Sequence, residues 1–308
     1  MHAMAYGEYG GTEVVQPATL PRPKVAPGEV LVRVRSASVN PVDWKLMSGG
    51  LDALMDVVFP VVPGWDVAGV VEEVGIDTPE FAVGDEVMAY ARKDYVHGGT
   101  FAELVSVPAR ALARKPAELD WHQAGSLPLA GLTAYRVLRR LGLSHGETVL
   151  VHGAAGGVGS LGVQIARSMG ARVIGTASAG NHDRLRGYGV EPVEYGDGLT
   201  ERIRDLAPDG VDAAADFVGG VSEVSSAVLR DPARQASVAD PAALEAGGQW
   251  IWVRPDGAAL EELAGLVRRG ELAVPVAEVF PLDHLADAFD RSATGHVAGK
   301  IAIEVSQD

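Results

Sequence analysis

The densest chemistry in this 308-residue chain lies at His152-Gly153-Ala154-Ala155-Gly156-Gly157-Val158-Gly159. The apolar, β-branched run Thr148–His152 leads into it, and Leu161, Ile165 and Met169 follow at helical spacing. Strand, glycine-rich turn and helix in that order make an anion-binding device. The glycines let backbone approach a pyrophosphate, and the helix N-terminus offers unpaired amides and partial positive charge. A literal G-x-G-x-x-G begins at Gly157 and continues through Gly159 and Gly162, but that register puts Gly162 inside the helix. The better register is Ala154-x-Gly156-x-x-Gly159, directly after the strand. It assigns Gly156, Gly157, Val158 and Gly159 to the phosphates.

The second strand of such a unit selects the dinucleotide, because an acidic residue near its end pairs with the ribose 2′-OH of NAD. Here the strand Ala171–Thr176 continues Ala177-Ser178-Ala179-Gly180-Asn181, and no carboxylate appears before Asp183. Ser178 and Asn181 can donate to a 2′-phosphate, with His182 and Arg184 close in sequence. NADPH is the expected cofactor, although no Lys or Arg lies within 177–181.

The elements that must position this turn follow from pattern. Val30, Val32 and Val34 alternate with Leu31, Arg33 and Arg35, the period of a half-buried strand. Val67–Val74, Asp85–Tyr90 and Thr100–Val107 continue a β-rich, antiparallel first third, separated by Gly and Pro. After Pro116 the pattern changes to a helix over Trp121–Leu141, then alternating strands and helices. Strands are expected at Val211–Asp216, Gln235–Val238 and Gln249–Val253, and helices at Val158–Met169 and Asn181–Gly187. A helix to Arg269, a strand near Val274–Phe280, a helix over Leu282–Ser292 and a strand Lys300–Val305 close the chain. The fold class is α/β, a β-rich unit beside a doubly wound parallel sheet.

Composition narrows the function. The net charge is −15 and no run of Lys and Arg forms a stripe, so a nucleic-acid role is not expected. With no cysteine, disulfides, thiolate metal sites and cysteine nucleophiles are excluded. The longest stretch without charge, Thr148–Ala166, carries five glycines and reads as strand, turn and helix rather than a membrane span. Met1–Val15 lacks the layout of a signal peptide. A soluble, cytoplasmic protein is the expectation.

Six segments together resemble the quinone oxidoreductases of the medium-chain dehydrogenase/reductase superfamily. They are Val39–Asp43, Pro63–Gly69, Gly99–Glu103, Leu127–Tyr135, the turn Ala154–Gly159 and Gly299-Lys300; Asp43-Trp44-Lys45 is similar to the enone-reductase branch. The resemblance implies a GroES-like catalytic domain from residues 1–116 and 255–308, with a Rossmann NADPH-binding domain, 117–254, inserted. It also implies a site in the cleft between them. Zinc-dependent members place metal ligands at the positions of Asn40, Trp65 and Leu129, which form no competent set, so no metal is expected.

By the same resemblance, Lys45 lies near the nicotinamide, where it holds the cofactor or stabilises a developing enolate, or else is a surface lysine. Asn40 either contacts cofactor or substrate, as a catalytic candidate, or caps the turn at Pro41. Thr133 is expected near the nicotinamide, Tyr195 beside the 2′-phosphate or adenosine, and Lys300 near the cofactor. The expected activity is hydride transfer from NADPH to a quinone or an α,β-unsaturated carbonyl. A non-catalytic NADPH-binding sensor is the alternative. A homodimer through the apolar edge Gln249–Val253 is also expected.

Overall fold

Val30, Val32 and Val34 are fully buried and Arg33 is exposed, as the alternation demands. In the computed structural model, which describes residues 1–306, they belong to the long strand Glu29–Val39. Leu31 is buried as well, and from Ser36 onward both faces are covered. The chain divides into two compact units.

The first unit comprises Met1–Leu132, Arg254–Arg268 and the chain from Val274 onward. Its seven-stranded sheet runs in the order Val276–Pro281, Lys300–Glu304, Glu29–Val39, Asp66–Val74, Glu86–Tyr90 and Leu112–Arg114, with Leu104–Pro108 also paired to Glu29–Val39. All pairings except that of Val276–Pro281 with Lys300–Glu304 are antiparallel. The last strand of the chain thus enters the sheet beside its beginning, Ile301 opposite Val39. Its core is mostly valine and alanine, Val67, Val71, Val87, Ala89 and Val105 among them, β-branched or small side chains that fit a pleated surface.

The second unit, Thr133–Val253 with Arg269–Ala273, holds a six-stranded parallel sheet. Its order is Glu191–Glu194, Arg172–Ala177, Thr148–His152, Ala213–Asp216, Gln235–Ser237, Gln249–Trp250. Numbered within the unit, that is 3-2-1-4-5-6, the doubly wound order whose reversal lies beside the first strand.

Several elements differ from expectation. Trp121–Leu141 is two helices, Trp121–Ser126 and Pro128–Arg140, because Pro128 has no amide to continue the first and is well suited to begin the second. The first of them packs on Glu29–Val39 and Asp66–Val74, so the units part at Leu132 rather than near Pro116. The edge run 249–253 is a strand only at Gln249–Trp250. The strand Glu191–Glu194 carries too few apolar residues for pattern to reveal it, and the helix Leu199–Leu206, with Leu199, Ile203 and Leu206 at helical spacing, is an element the sequence reading did not include.

Candidate functional site

The glycine turn begins where the buried strand Thr148–His152 ends, and the helix Gly159–Ser168 follows. A Cβ added at Gly159 would lie 2.1 Å from the carbonyl oxygen of Gly153, so only glycine lets the helix start this close to the strand. At Gly156 the same oxygen is 3.4 Å away and nothing else is near, which leaves its backbone bare. Gly162 lies within the helix against Phe217, so the later glycine register is a packing feature. Gly156 N donates to Gly153 O, Ser160 N to Gly156 O and Gly162 N to Val158 O. The amides of Gly157 and Val158 stand outside that pattern, ahead of the helix, where an anion is favoured. Thr176 pins the turn to the second strand, its hydroxyl accepting from Gly153 N at 3.0 Å. These residues fit a dinucleotide pyrophosphate.

Ser178 follows the strand Arg172–Ala177 directly, and its hydroxyl accepts from Asn181 Nδ2 at 3.0 Å. Ala177 pairs with Glu194 in the neighbouring parallel strand, which puts Ser178 and Tyr195 one step beyond, on adjacent strand ends. Tyr195 is 56% exposed. Its loop is held by Arg202, whose guanidinium donates to the carbonyls of Glu194, Gly196 and Asp197. Arg202 was invisible to motif reading because it acts on backbone. Thr133 is buried in the helix Pro128–Arg140.

In the first unit the predicted residues separate. Asn40 and Lys300 meet; Lys45 does not join them. Lys45 is exposed on the last turn of the helix Pro41–Met47, with Nζ 5.5 Å from the centre of the Trp44 ring. Asn40 is buried at the start of that helix and donates from Nδ2 to Asp66 Oδ2 at 2.8 Å. Lys300 is buried too and donates to Asn40 Oδ1 at 2.5 Å and Val39 O at 3.0 Å, with Asp66 Oδ2 at 3.6 Å. Ser38 Oγ and Leu129 N also donate to Asp66, at 2.7 and 2.6 Å. Asn40 and Lys300 are thus committed to an internal centre around a carboxylate that the sequence reading left without a role. Burial pulls the Lys300 ammonium down, and Asp66 and Asp43 oppose that.

Of the three zinc-equivalent positions, Asn40 and the backbone of Leu129 serve Asp66. Trp65 is buried with its ring edge-on to Tyr90. An amide, an indole and an isobutyl group do not fit zinc, and among the described residues no group of three or more His, Cys, Asp or Glu could hold a metal.

Two buried groups are driven to their neutral forms. Asp43 is pushed up to about 8, chiefly by burial, with the Asn40 amide opposing and Asp66 adding. In the second unit burial pushes His152 down to about 4 against Asp216, and its Nε2 lies 3.1 Å from Ser225 Oγ.

Comparison with known proteins places this geometry. Residues 26–117 match the alcohol dehydrogenase GroES-like domain, and 189–303 match the zinc-binding dehydrogenase domain. An Arabidopsis thaliana NADPH-dependent alkenal/one oxidoreductase is 34% identical over 98% of this chain and 79% of its own length. A Solanum lycopersicum 2-methylene-furan-3-one reductase is 33% identical with the same coverage. Among solved structures, the quinone oxidoreductase of Coxiella burnetii superposes with a TM-score of 0.86 at 30% identity, covering 99% of both chains. The chain belongs to the quinone oxidoreductase and enone reductase branch of the medium-chain dehydrogenase/reductase superfamily.

Proposed function

We propose that this chain is an NADPH-dependent oxidoreductase that reduces a quinone or an α,β-unsaturated ketone or aldehyde without a metal. The relatives' names supply the acceptor class. The observation that carries the cofactor choice is the end of the second parallel strand, where Ser178 and Asn181 stand beside the phosphate turn and no carboxylate intervenes.

When bound, NADPH supplies the hydride. The chain's own residues bind, orient and stabilise. The amides of Gly157 and Val158 take the pyrophosphate, Gly159 keeps the helix close to it, and Ser178, Asn181 and Tyr195 take the 2′-phosphate end. Lys45, exposed at the end of its helix, is the cation we assign to the nicotinamide end or to negative charge developing on the acceptor. We assign the strand-rich unit to the acceptor and the unit from Thr133 to the dinucleotide.

The test is NADPH oxidation across p-quinones and short enones, with NADH as control and a chelator in a parallel series. Turnover that survives the chelator, with no stoichiometric zinc by elemental analysis, is the expected result. Tight NADPH binding with no acceptor reduced would leave the sensor reading in its place.

Two further expectations belong to this reading. A homodimer through the edge at Gln249–Trp250 is supported by Trp250 and Trp252, 44% and 38% exposed. An exposed apolar sheet edge invites pairing with its copy, and light scattering at monomer mass over a wide concentration range would remove it. A reducing, cytoplasmic location without membrane attachment is the compartment we propose; no helix among the described residues is long and apolar enough to cross a membrane.

A further inference from the structure

A 2′-phosphate needs positive charge beside it, and the segment 177–181 contains no Lys or Arg. The neighbouring strand end brings one in. Glu191–Glu194 runs parallel to Arg172–Ala177 with Glu194 opposite Ala177, so the loop 195–198 stands beside Ser178. Arg202 reaches back into that loop from the helix Leu199–Leu206. Its Nε and Nη2 donate to Glu194 O at 3.0 and 2.8 Å, and Nη1 donates to Asp197 O at 2.7 Å. Nη2 also donates to Gly196 O at 3.3 Å.

The loop is shaped around this guanidinium. Gly196 and Gly198 take φ of 98° and 75°, the left-handed region that glycine enters without steric cost, and the chain so turned aims three carbonyls at one side chain. Carbonyl oxygens satisfy N–H groups but bring no net charge. Arg172, Arg186, Arg230 and Arg234 of the same unit are each paired with a carboxylate. Among the described residues Arg202 has no such partner, its bonds being those four to backbone. It is also the fourth residue of its helix, in the half where the dipole disfavours a cation, so helix stability does not account for it.

We propose that Arg202 is the cation that gives this chain its preference for a 2′-phosphate. Ser178 and Asn181 donate the direct hydrogen bonds, while the guanidinium fixes the loop 195–198 and supplies the positive charge from the adjacent strand end. This role presupposes the NADPH reading and adds the residue that selects NADPH over NADH. The other charged or titratable groups nearby in the chain are His182, Arg184, Glu194 and Asp197, with Asp183 tied to Arg186.

Adenosine 2′,5′-bisphosphate and 5′-AMP differ only in the 2′-phosphate, and calorimetric titration of the full chain with each isolates its contribution. Arg202→Gln should weaken the bisphosphate by about three- to tenfold and 5′-AMP by less than about twofold. Arg202→Lys keeps the charge without the fork and should recover most of the preference. Attraction acting without contact is screened, so the wild-type preference should shrink from about 0.1 M to about 1 M NaCl, as the screening length falls from roughly 10 Å to roughly 3 Å. In Arg202→Gln that salt dependence should be shallower.

An unchanged preference for the bisphosphate in Arg202→Gln overturns the proposal. Equal weakening of both probes also overturns it, because that marks a residue that shapes the loop without reading the phosphate. So does an Arg202→Lys variant as poor as Arg202→Gln. If Arg202→Gln does not fold, a lost preference in folded Arg202→Lys, or a wild-type preference that is flat in salt, overturns it instead. A wild-type chain that binds the two probes alike sinks the NADPH reading together with this one. A wild-type preference that survives in Arg202→Gln sinks the role of Arg202 alone.

Discussion

The half-buried turn Gly153–Gly159 and the buried centre around Asp66 are both polar devices, but they are assembled in opposite ways. The turn is seven consecutive residues acting through backbone, and its central requirement is an absence, the Cβ that Gly159 lacks. The Asp66 centre gathers side chains or amides from Ser38, Asn40, Leu129 and Lys300, the Asn40–Lys300 contact spanning 260 positions. The first fails when an atom is added. The second fails when one is removed, because a buried charge loses its partner.

The largest expected effect is therefore in the first unit. Asp66→Ala strands the Lys300 ammonium and three other donors, and should cost about 3–5 kcal/mol by urea unfolding. Replacing both members, as Asp66→Asn with Lys300→Met, should cost less than Asp66→Ala. A single-variant loss under about 1 kcal/mol would mean the centre behaves as a surface ion pair, and the contrast would break.

In the turn, Gly159→Ala must displace the Gly153 carbonyl and should destabilise by about 1–3 kcal/mol. Gly156→Ala has room in the free protein and should stay within about 0.5 kcal/mol, yet lose NADPH affinity by about tenfold, where backbone meets pyrophosphate. Unchanged NADPH affinity in Gly156→Ala would move the phosphates off this turn.

Ser178→Asp sharpens the same region. A carboxylate there repels a 2′-phosphate and offers the 2′-OH of NADH a partner, so the NADPH/NADH ratio of kcat/KM should fall about ten- to a hundredfold, roughly 1–3 kcal/mol. If the ratio does not move, Ser178 does not read the 2′ position.

The smallest effect is in pH. The raised pKa of Asp43, from 3.8 to about 8, gives stability that is full at low pH and lost as pH rises through about 8. The lowered pKa of His152, from 6.5 to about 4, works the other way: its contribution is present above 6.5 and lost as pH falls toward 4. Calorimetry should show Asp43→Asn flattening the fall in melting temperature as pH rises from about 4 to about 8, and His152→Gln flattening the fall as pH drops from 6.5 to about 4. Identical profiles in variant and wild type would place neither group in its neutral form.

The sequence by itself determined the parts of this protein that are local. A strand, a turn and a helix in consecutive residues have their hydrogen bonds and close approaches written into neighbouring positions. The strand–glycine turn–helix unit, the parallel sheet and the absence of a carboxylate at Ser178 could therefore be read directly. Pro128 was equally legible as a helix break, since its missing amide acts on its own neighbours, but periodicity alone ran across it. The tertiary structure alone decided what Asn40, Asp43, Asp66 and Lys300 do. Their types and motifs marked them, but a lysine beside the last strand is a cofactor ligand or a buried counter-ion according to what the returning chain sets against it. Here Ile301 pairs with Val39, and that register delivers the ammonium to Asn40 and Asp66 rather than to solvent. Charge burial is a property of the assembled surroundings, so no single stretch of sequence contains it.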